Sequence, residues 1–295
     1  MGNDIAIKCT NLTKNYGSNH GIFDVNLTIN QGSVFGMIGP NGAGKSTFIR
    51  LLMDLIKPTS GSVSILGLDS QKDSLLLKSQ IGFLPGELLT FPSVTAEYIL
   101  KLLLNLRGIE NSSYLYELAE RLDLDLTRKF QDLSHGNKQK VGLIQTLMHK
   151  PNLLILDEPT LGLDPIIQRE LRNLLIEFNS QGKTIILSSH VLSEVESLCD
   201  QIVLINEGRV IRQGTLAELR ASQIHKLTVI FDSSIPSLSE LEKVGALNIQ
   251  WVQNTLSCEI RGSIQDFIRL LAQYSIVELD SRELSLEEVF FSEVG

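Results

Sequence analysis

The sequence is short of cysteine, of positive charge and of long apolar runs. Its 3 cysteines, Cys9, Cys199 and Cys258, are far apart and lack metal-ligand spacing. That excludes a disulfide framework and a thiolate metal site; an odd, scattered set reads as buried thiols in a reducing compartment. The longest apolar runs, such as Leu102–Leu104 and Leu153–Leu156, fall far short of the roughly 20 residues that span a bilayer. No basic-then-apolar leader opens the chain. Met1-Gly2 raises myristoylation, but Ala6 stands where that signal needs Ser or Thr. The chain therefore reads as soluble, and any membrane process it serves needs another protein to do the spanning. Lys plus Arg number 26 against 34 Asp plus Glu, a formal charge of -8. That balance argues against general nucleic-acid binding.

What is present is globular. With 295 residues, 43% hydrophobic and 20% charged, the chain is long enough for two domains at about 150 residues each. The acidic excess is concentrated. Residues 221–295 carry 5 basic and 11 acidic residues, while the first 220 carry 21 and 23. Short strands are expected at Ile5–Cys9, Phe23–Ile29, Ser33–Ile38 and Ser62–Leu66, with a helix over Phe48–Ile56. Helices follow at Glu97–Leu106, Ser113–Leu124 and Gly136–Lys150, the last stopped by Pro151. Strands at Leu153–Leu156, Thr184–Ser188 and Gln201–Asn206 then alternate with helices at Gln168–Ser180 and Leu192–Leu198, which argues for a parallel α/β sheet. The block around Val94–Lys150 interrupts that alternation as a helical insert. Beyond Arg220 the pattern changes to strands at Leu227–Phe231, Ala246–Gln250 and Leu256–Ile260 with a helix at Ile264–Gln273. This predicts a domain over 1–222 and a small, acidic α+β domain over 223–295.

Three motifs carry chemistry. Gly39-Pro40-Asn41-Gly42-Ala43-Gly44-Lys45-Ser46-Thr47 fits G-x-x-x-x-G-K-[ST] between a strand and a helix. Glycines let backbone N–H groups turn inward, and the helix N-terminus completes a phosphate cradle. The pattern places Lys45 on the β- and γ-phosphates and Ser46 on Mg²⁺. Four apolar residues, Leu153–Leu156, then lead into Asp157-Glu158 at a strand tip, where ligands bind in α/β sheets. Asp157 would hold Mg²⁺ through water, and Glu158 would orient or deprotonate the attacking water. His190, just after Thr184–Ser188, becomes a candidate γ-phosphate contact.

Leu133-Ser134-His135-Gly136-Asn137-Lys138-Gln139 resembles the LSGGQ signature of ATP-binding cassette (ABC) proteins. With the other motifs, the resemblance covers about residues 1–220 in the family's order. It implies a P-loop NTPase core, a RecA-like parallel sheet with an antiparallel β subdomain, and a helical subdomain over about 88–150. Tyr16 resembles the aromatic residue that stacks on adenine. Ser134 and Gly136 resemble the signature contacts to a γ-phosphate held by the opposite subunit. Asp164, in Leu161-Gly162-Leu163-Asp164, resembles the D-loop aspartate between subunits, and His190 matches the switch histidine. His135 and Asn137 depart from the signature, and Gly86, followed by Glu87, stands where the family's Q-loop carries glutamine.

The resemblance also implies ATP and Mg²⁺ as cofactors and a homodimer or heterodimer of cassettes. It implies a separate membrane permease and a place on the inner face of the cell membrane. Ser285–Phe291 looks like the tail of single-cassette drug or lipid export ATPases. Phe91, Leu100, Leu103 and Leu104 of the insert are either permease-facing or core. Two other readings stand beside transport. One is a cassette ATPase acting on ribosomes or DNA, opposed by the single phosphate loop, the short gap between loop and signature, and the acidic charge. The other is a nucleotide-binding regulator without turnover, opposed by the presence of Lys45, Asp157, Glu158 and His190.

Overall fold

Strands buried at every position can only sit between two covered faces, and three such strands form the centre of the sheet in residues 1–213. The protein was studied as a computed structural model, which describes residues 5–18, 20–87, 93–221, 224–261 and 264–283. The chain divides into two compact units, Met1–Gln213 and Gly214–Gly295; composition alone sets that boundary at 222/223, and those two residues lie outside the described ones.

The first unit begins with β1 (Ile5–Gly17), β2 (His20–Asn30), β3 (Val34–Ile38), α1 (Lys45–Leu52), β4 (Ser60–Ile65), β5 (Leu68–Asp69), α2 (Ser74–Gln80) and β6 (Ile81–Leu84). The insert follows as α3 (Ala96–Leu106), α4 (Ser113–Arg121), a 3-10 turn at Phe130–Asp132 and α5 (His135–Leu147). The chain returns through β7 (Leu153–Asp157), α6 (Pro165–Ser180), β8 (Thr184–Ser189), α7 (Leu192–Glu196), β9 (Gln201–Asn206) and β10 (Arg209–Thr215).

Two sheets result. A six-stranded sheet has the order β10-β9-β3-β8-β7-β6, and β3, β6, β7, β8 and β9 pair in parallel. All residues of β3, β7 and β8 are buried. The second sheet, β2-β1-β4-β5, is antiparallel. Phe35, Met37, Phe48, Ile49 and Ile155 share one core with Ile7, Leu12, Ile29 and Ile65 of the antiparallel sheet. That shared core fixes the phosphate loop relative to β1.

Several boundaries differ from the periodicity. β1 runs on to Gly17 because it pairs with both β2 and β4, so its polar second half is held by ladders rather than by propensity. α1 starts at Lys45, directly out of the loop, and α5 stops at Leu147 because Lys150 takes a left-handed φ of 49° before Pro151. α6 starts at Pro165, with Asp164 as its N-cap. Leu100 and Leu104 of α3 are buried core, whereas Tyr98, Leu102 and Leu106 on its other side are exposed; Phe91 lies outside the described residues. Arg121 at the end of α4 fastens the insert to α6, donating to Glu170 at 2.6 Å and, as a fork, to Glu177 at 2.7 and 2.8 Å. The hydrogen bond from Arg121 holds the Glu177 carboxyl below the usual carboxylate range.

The second unit opens with α8 (Leu216–Ala221) and continues β11 (Ile224–Phe231), α9 (Leu238–Lys243), β12 (Ala246–Val252), β13 (Thr255–Arg261), α10 (Gln265–Leu271) and β14 (Ile276–Glu283). The order β12-β13-β11-β14 with antiparallel pairing is the ferredoxin-like βαββαβ arrangement. Leu227, Val229 and Phe231 of β11 pack with Leu256, Cys258 and Ile260 of β13 against Leu241, Phe267 and Leu271 of the helices. Ser285–Phe291 lies outside the described residues.

All three cysteines are buried and unpaired. Burial pushes the Cys9 thiol up to about 12 and Cys258 up to about 11, and raises Cys199 as well. A thiol so placed stays protonated and inert. The folded protein at pH 8 is expected to resist a thiol-specific chromogenic reagent, with all 3 thiols reacting only after denaturation; rapid labelling of the native chain would contradict this packing.

Candidate active site

The buried strand β3 delivers the chain into the loop Gly39–Thr47, and α1 begins without a break. Gly44 takes φ 108°, and a Cβ there would lie 2.8 Å from Ile22 Cγ2, so no other residue fits the turn. No side chain caps α1; its first N–H groups are left for an anion. Pro40 to Thr47 line a cleft of about 330 Å³ together with Tyr16, His20 and Glu158. Tyr16 is half exposed at the cleft, with Lys14 Nζ 5.3 Å from its ring centre.

Lys45 is only 6% exposed. Its ammonium donates to Gly39 O at 2.6 Å and Pro40 O at 3.2 Å and lies 3.5 Å from Glu158 Oε1. The other carboxylate oxygen of Glu158 is 2.8 Å from His190 Nδ1. Glu158 thus bridges the loop lysine and the histidine after β8, in one cluster drawn from three parallel strands.

The backbone explains that aim. Glu158 takes a left-handed φ of 51°, and its N–H donates to Ser188 O and Ser188 Oγ, both at 3.2 Å. Ser188 Oγ in turn donates to Asp157 Oδ1 at 2.5 Å. On the far side of the turn, Gln139 Nε2 donates to the carbonyls of Glu158 and Pro159, each at 3.2 Å. Thr160 Oγ1 and Ser189 Oγ both donate to Glu194 Oε2 at 2.8 Å. That shared carboxylate ties the turn after Glu158 to the turn before His190.

Ser134 and Asp164 cap helices. Ser134 Oγ accepts from the Asn137 N–H at 3.3 Å, opening α5, and Asp164 Oδ1 accepts from the N–H groups of Ile166 and Ile167 at 3.0 Å. A Cβ on Gly136 would lie 2.5 Å from Gly162 O, so α5 and the Leu161–Asp164 loop touch through bare backbone. Neither Ser134, Gly136 nor Asp164 lines the cleft around Lys45. At the Q-loop position, a Cβ on Gly86 would meet Asp157 Oδ2 at 3.2 Å, and Glu87 beside it is exposed.

Sequence reasoning missed Ser188, Gln139, Glu194 and Thr160. Ser188 is set by the parallel register that places it opposite Asp157, and Gln139, Glu194 and Thr160 by side-chain contacts between elements far apart in sequence; both signals are tertiary. The donor set suits Mg²⁺: one buried carboxylate whose second oxygen faces Gly86, and one exposed hydroxyl, Ser46, on the cleft wall. Mg²⁺ usually takes one or two protein oxygens and completes its shell with phosphate and water. Among the described residues, no group of three or more His, Cys, Asp or Glu could hold a metal unaided.

A family model described as ABC transporter matches residues 22–161. The bacitracin transport ATP-binding protein of Bacillus licheniformis is 33% identical, over 98% of this chain and 97% of its own. The chain belongs to the ABC transporter ATP-binding proteins. Another relative of this cassette is the Nod factor export ATP-binding protein I of Rhizobium johnstonii, 33% identical over 99% of this chain and 95% of its own. Among solved structures, a dimeric ATP-binding cassette in a post-hydrolysis state, bound to ADP and Pi, matches with a TM-score of 0.63. Its identity is 26%, over 71% of this chain and 98% of that one. This cassette is the ATP-hydrolysing subunit of an ABC transporter.

The contact between α5 and the Leu161–Asp164 loop yields a direct test. Gly136→Ala inserts a methyl against Gly162 O and displaces the signature end of α5. ATP turnover is expected to fall by up to about 10²-fold, the cost of a misplacement near 1 Å, with nucleotide binding at the Lys45 cleft retained. Parental turnover in that variant would show that the close approach is not needed.

Proposed function

We propose that two copies of this cassette, or one copy and a related partner, bind two Mg·ATP between them and drive export through a separate membrane permease. The observation that carries this reading is the split of the site. Lys45 and Glu158 line one cleft, with His190 held against Glu158, while Ser134 and Gly136 touch neither Lys45 nor Glu158 and do not line it. One chain therefore offers half of each of two sites, and a second chain's signature completes the first.

In this reading Tyr16 stacks on adenine, and the N–H groups from Pro40 to Thr47 cradle the phosphates. Lys45 turns from the Gly39 and Pro40 carbonyls to the β- and γ-phosphates. Ser46 and Asp157 would hold Mg²⁺, which would supply positive charge against that developing on the phosphate oxygens. Glu158 takes a proton from the attacking water as the water oxygen bonds to the γ-phosphorus and the bond to ADP breaks. His190, held against Glu158, orients that carboxylate and contacts the γ-phosphate. Ser134 and Gly136 meet the γ-phosphate of the nucleotide held by the other copy, and Asp164 lies between the copies.

No helix among the described residues is long and apolar enough to cross a membrane, so the permease supplies the path and holds the cassette at the inner face of the membrane. Tyr98, Leu102 and Leu106, exposed at 58%, 45% and 74%, recur at helical spacing along α3. They form an apolar stripe suited to a short amphipathic helix of the permease. Export as the direction follows the likeness to the Nod factor export protein.

Two experiments test the proposal. Glu158→Gln is expected to lower ATP turnover by roughly 10²–10⁴-fold, the usual weight of a general base. It should also accumulate an ATP-bound dimer by light scattering, which chelation of Mg²⁺ prevents; a strictly monomeric variant under saturating Mg·ATP would overturn the paired-site reading. Leu106→Glu should leave turnover of the isolated cassette intact while removing the stimulation that the co-purified permease gives. Undiminished stimulation would place the docking stripe elsewhere.

A further inference from the structure

We propose that Gln139 is a positioning residue that couples the signature end of α5 to the general base of the same chain. Gln139 is 3% exposed, and a buried amide of that size is held for the hydrogen bonds it makes. Its Nε2 donates to two consecutive carbonyls, Glu158 O and Pro159 O, each at 3.2 Å. Those carbonyls flank the turn in which Glu158 takes its left-handed φ of 51°. A non-glycine residue stays in that region only where its surroundings over-determine it. Ser188 holds the N–H side of Glu158 and Gln139 holds the carbonyl side, so the two grips set the direction of the carboxylate toward Lys45 and His190.

The position of Gln139 gives this grip a second consequence. It lies on α5, whose N-terminus is capped by Ser134. In the paired arrangement proposed above, Ser134 and Gly136 face the nucleotide of the other copy, while Glu158 serves the nucleotide of its own chain. A rigid helix joins the two, and Gln139 is where that helix holds the base. Contact with one nucleotide is thereby felt as a change in the aim of the base over the other. This coupling rests on the paired-site reading; the positioning role does not.

The test replaces the amide by a side chain of similar volume without donors, Gln139→Met. The expected result is a fall of roughly tenfold or more in kcat, a loss of transition-state stabilisation alone. KM for ATP should stay near the parental value, and the Hill coefficient for ATP should drop toward unity. Parental kcat in Gln139→Met overturns the positioning role. A reduced kcat with the parental Hill coefficient overturns the coupling, and a parent chain that itself lacks cooperativity counts against the paired sites. Should the methionine variant not fold, Gln139→Glu decides the matter. Its carboxyl donates only when protonated, so its kcat relative to the parent should rise as pH is lowered, and a flat ratio overturns the proposal.

Discussion

Glu158 can face Lys45 and His190 only because its backbone is locked in a conformation that costs a non-glycine residue about 1–3 kcal/mol. The lock is assembled from three elements. β8 supplies Ser188, whose carbonyl and hydroxyl take the Glu158 N–H while the hydroxyl also holds Asp157. α5 supplies Gln139, and α7 supplies Glu194 through Thr160 and Ser189. Burial of the Lys45 ammonium adds a second constraint, because a buried charge must be paired and hydrogen-bonded. Two loop carbonyls and the Glu158 carboxylate meet that need together. The geometry of the carboxylate and that of the lysine are therefore not independent.

Much of this was legible in the residues themselves. The phosphate loop, the buried strand ending in Asp157-Glu158, and Ser134 as a cap are each local: spacing, an apolar run, and the hydroxyl's preference for a helix start. Asp164-Pro165 is equally local, a cap followed by proline at the first helical position, and it starts α6 three residues before the Gln168 expected from the sequence. Other features were not local. Ser188 and Gln139 earn their roles from a parallel register and from helix packing that no spacing in one segment encodes. Leu100 and Leu104 could not be told from Leu102 and Leu106 until α3 had a partner on one side. In the second unit the helix at Ile264–Gln273 is legible, but α9 spans only six residues, too few to carry a clear period, and β14 is not among the expected strands, so the ferredoxin-like order stays hidden behind a correct sense of α+β.

The open face of the second sheet is polar at its centre. Registers set Lys226 between Glu259 and Arg282, and Thr228 between Ser257 and Asp280. Alternation along β11 sends Leu227 and Val229 to the helices, leaving that other face to water. One-sided burial specifies the strand register strongly, since a slip of one residue would exchange the two sets.

The forked clasp of Arg121 on Glu170 and Glu177 has a mechanical meaning. A guanidinium gripping two carboxylates on one helix resists both sliding and twisting, so the insert and α6 behave as one stiff crank. The same crank begins at Asp164. A displacement of the insert therefore has a direct side-chain route into α6 at two points along that helix.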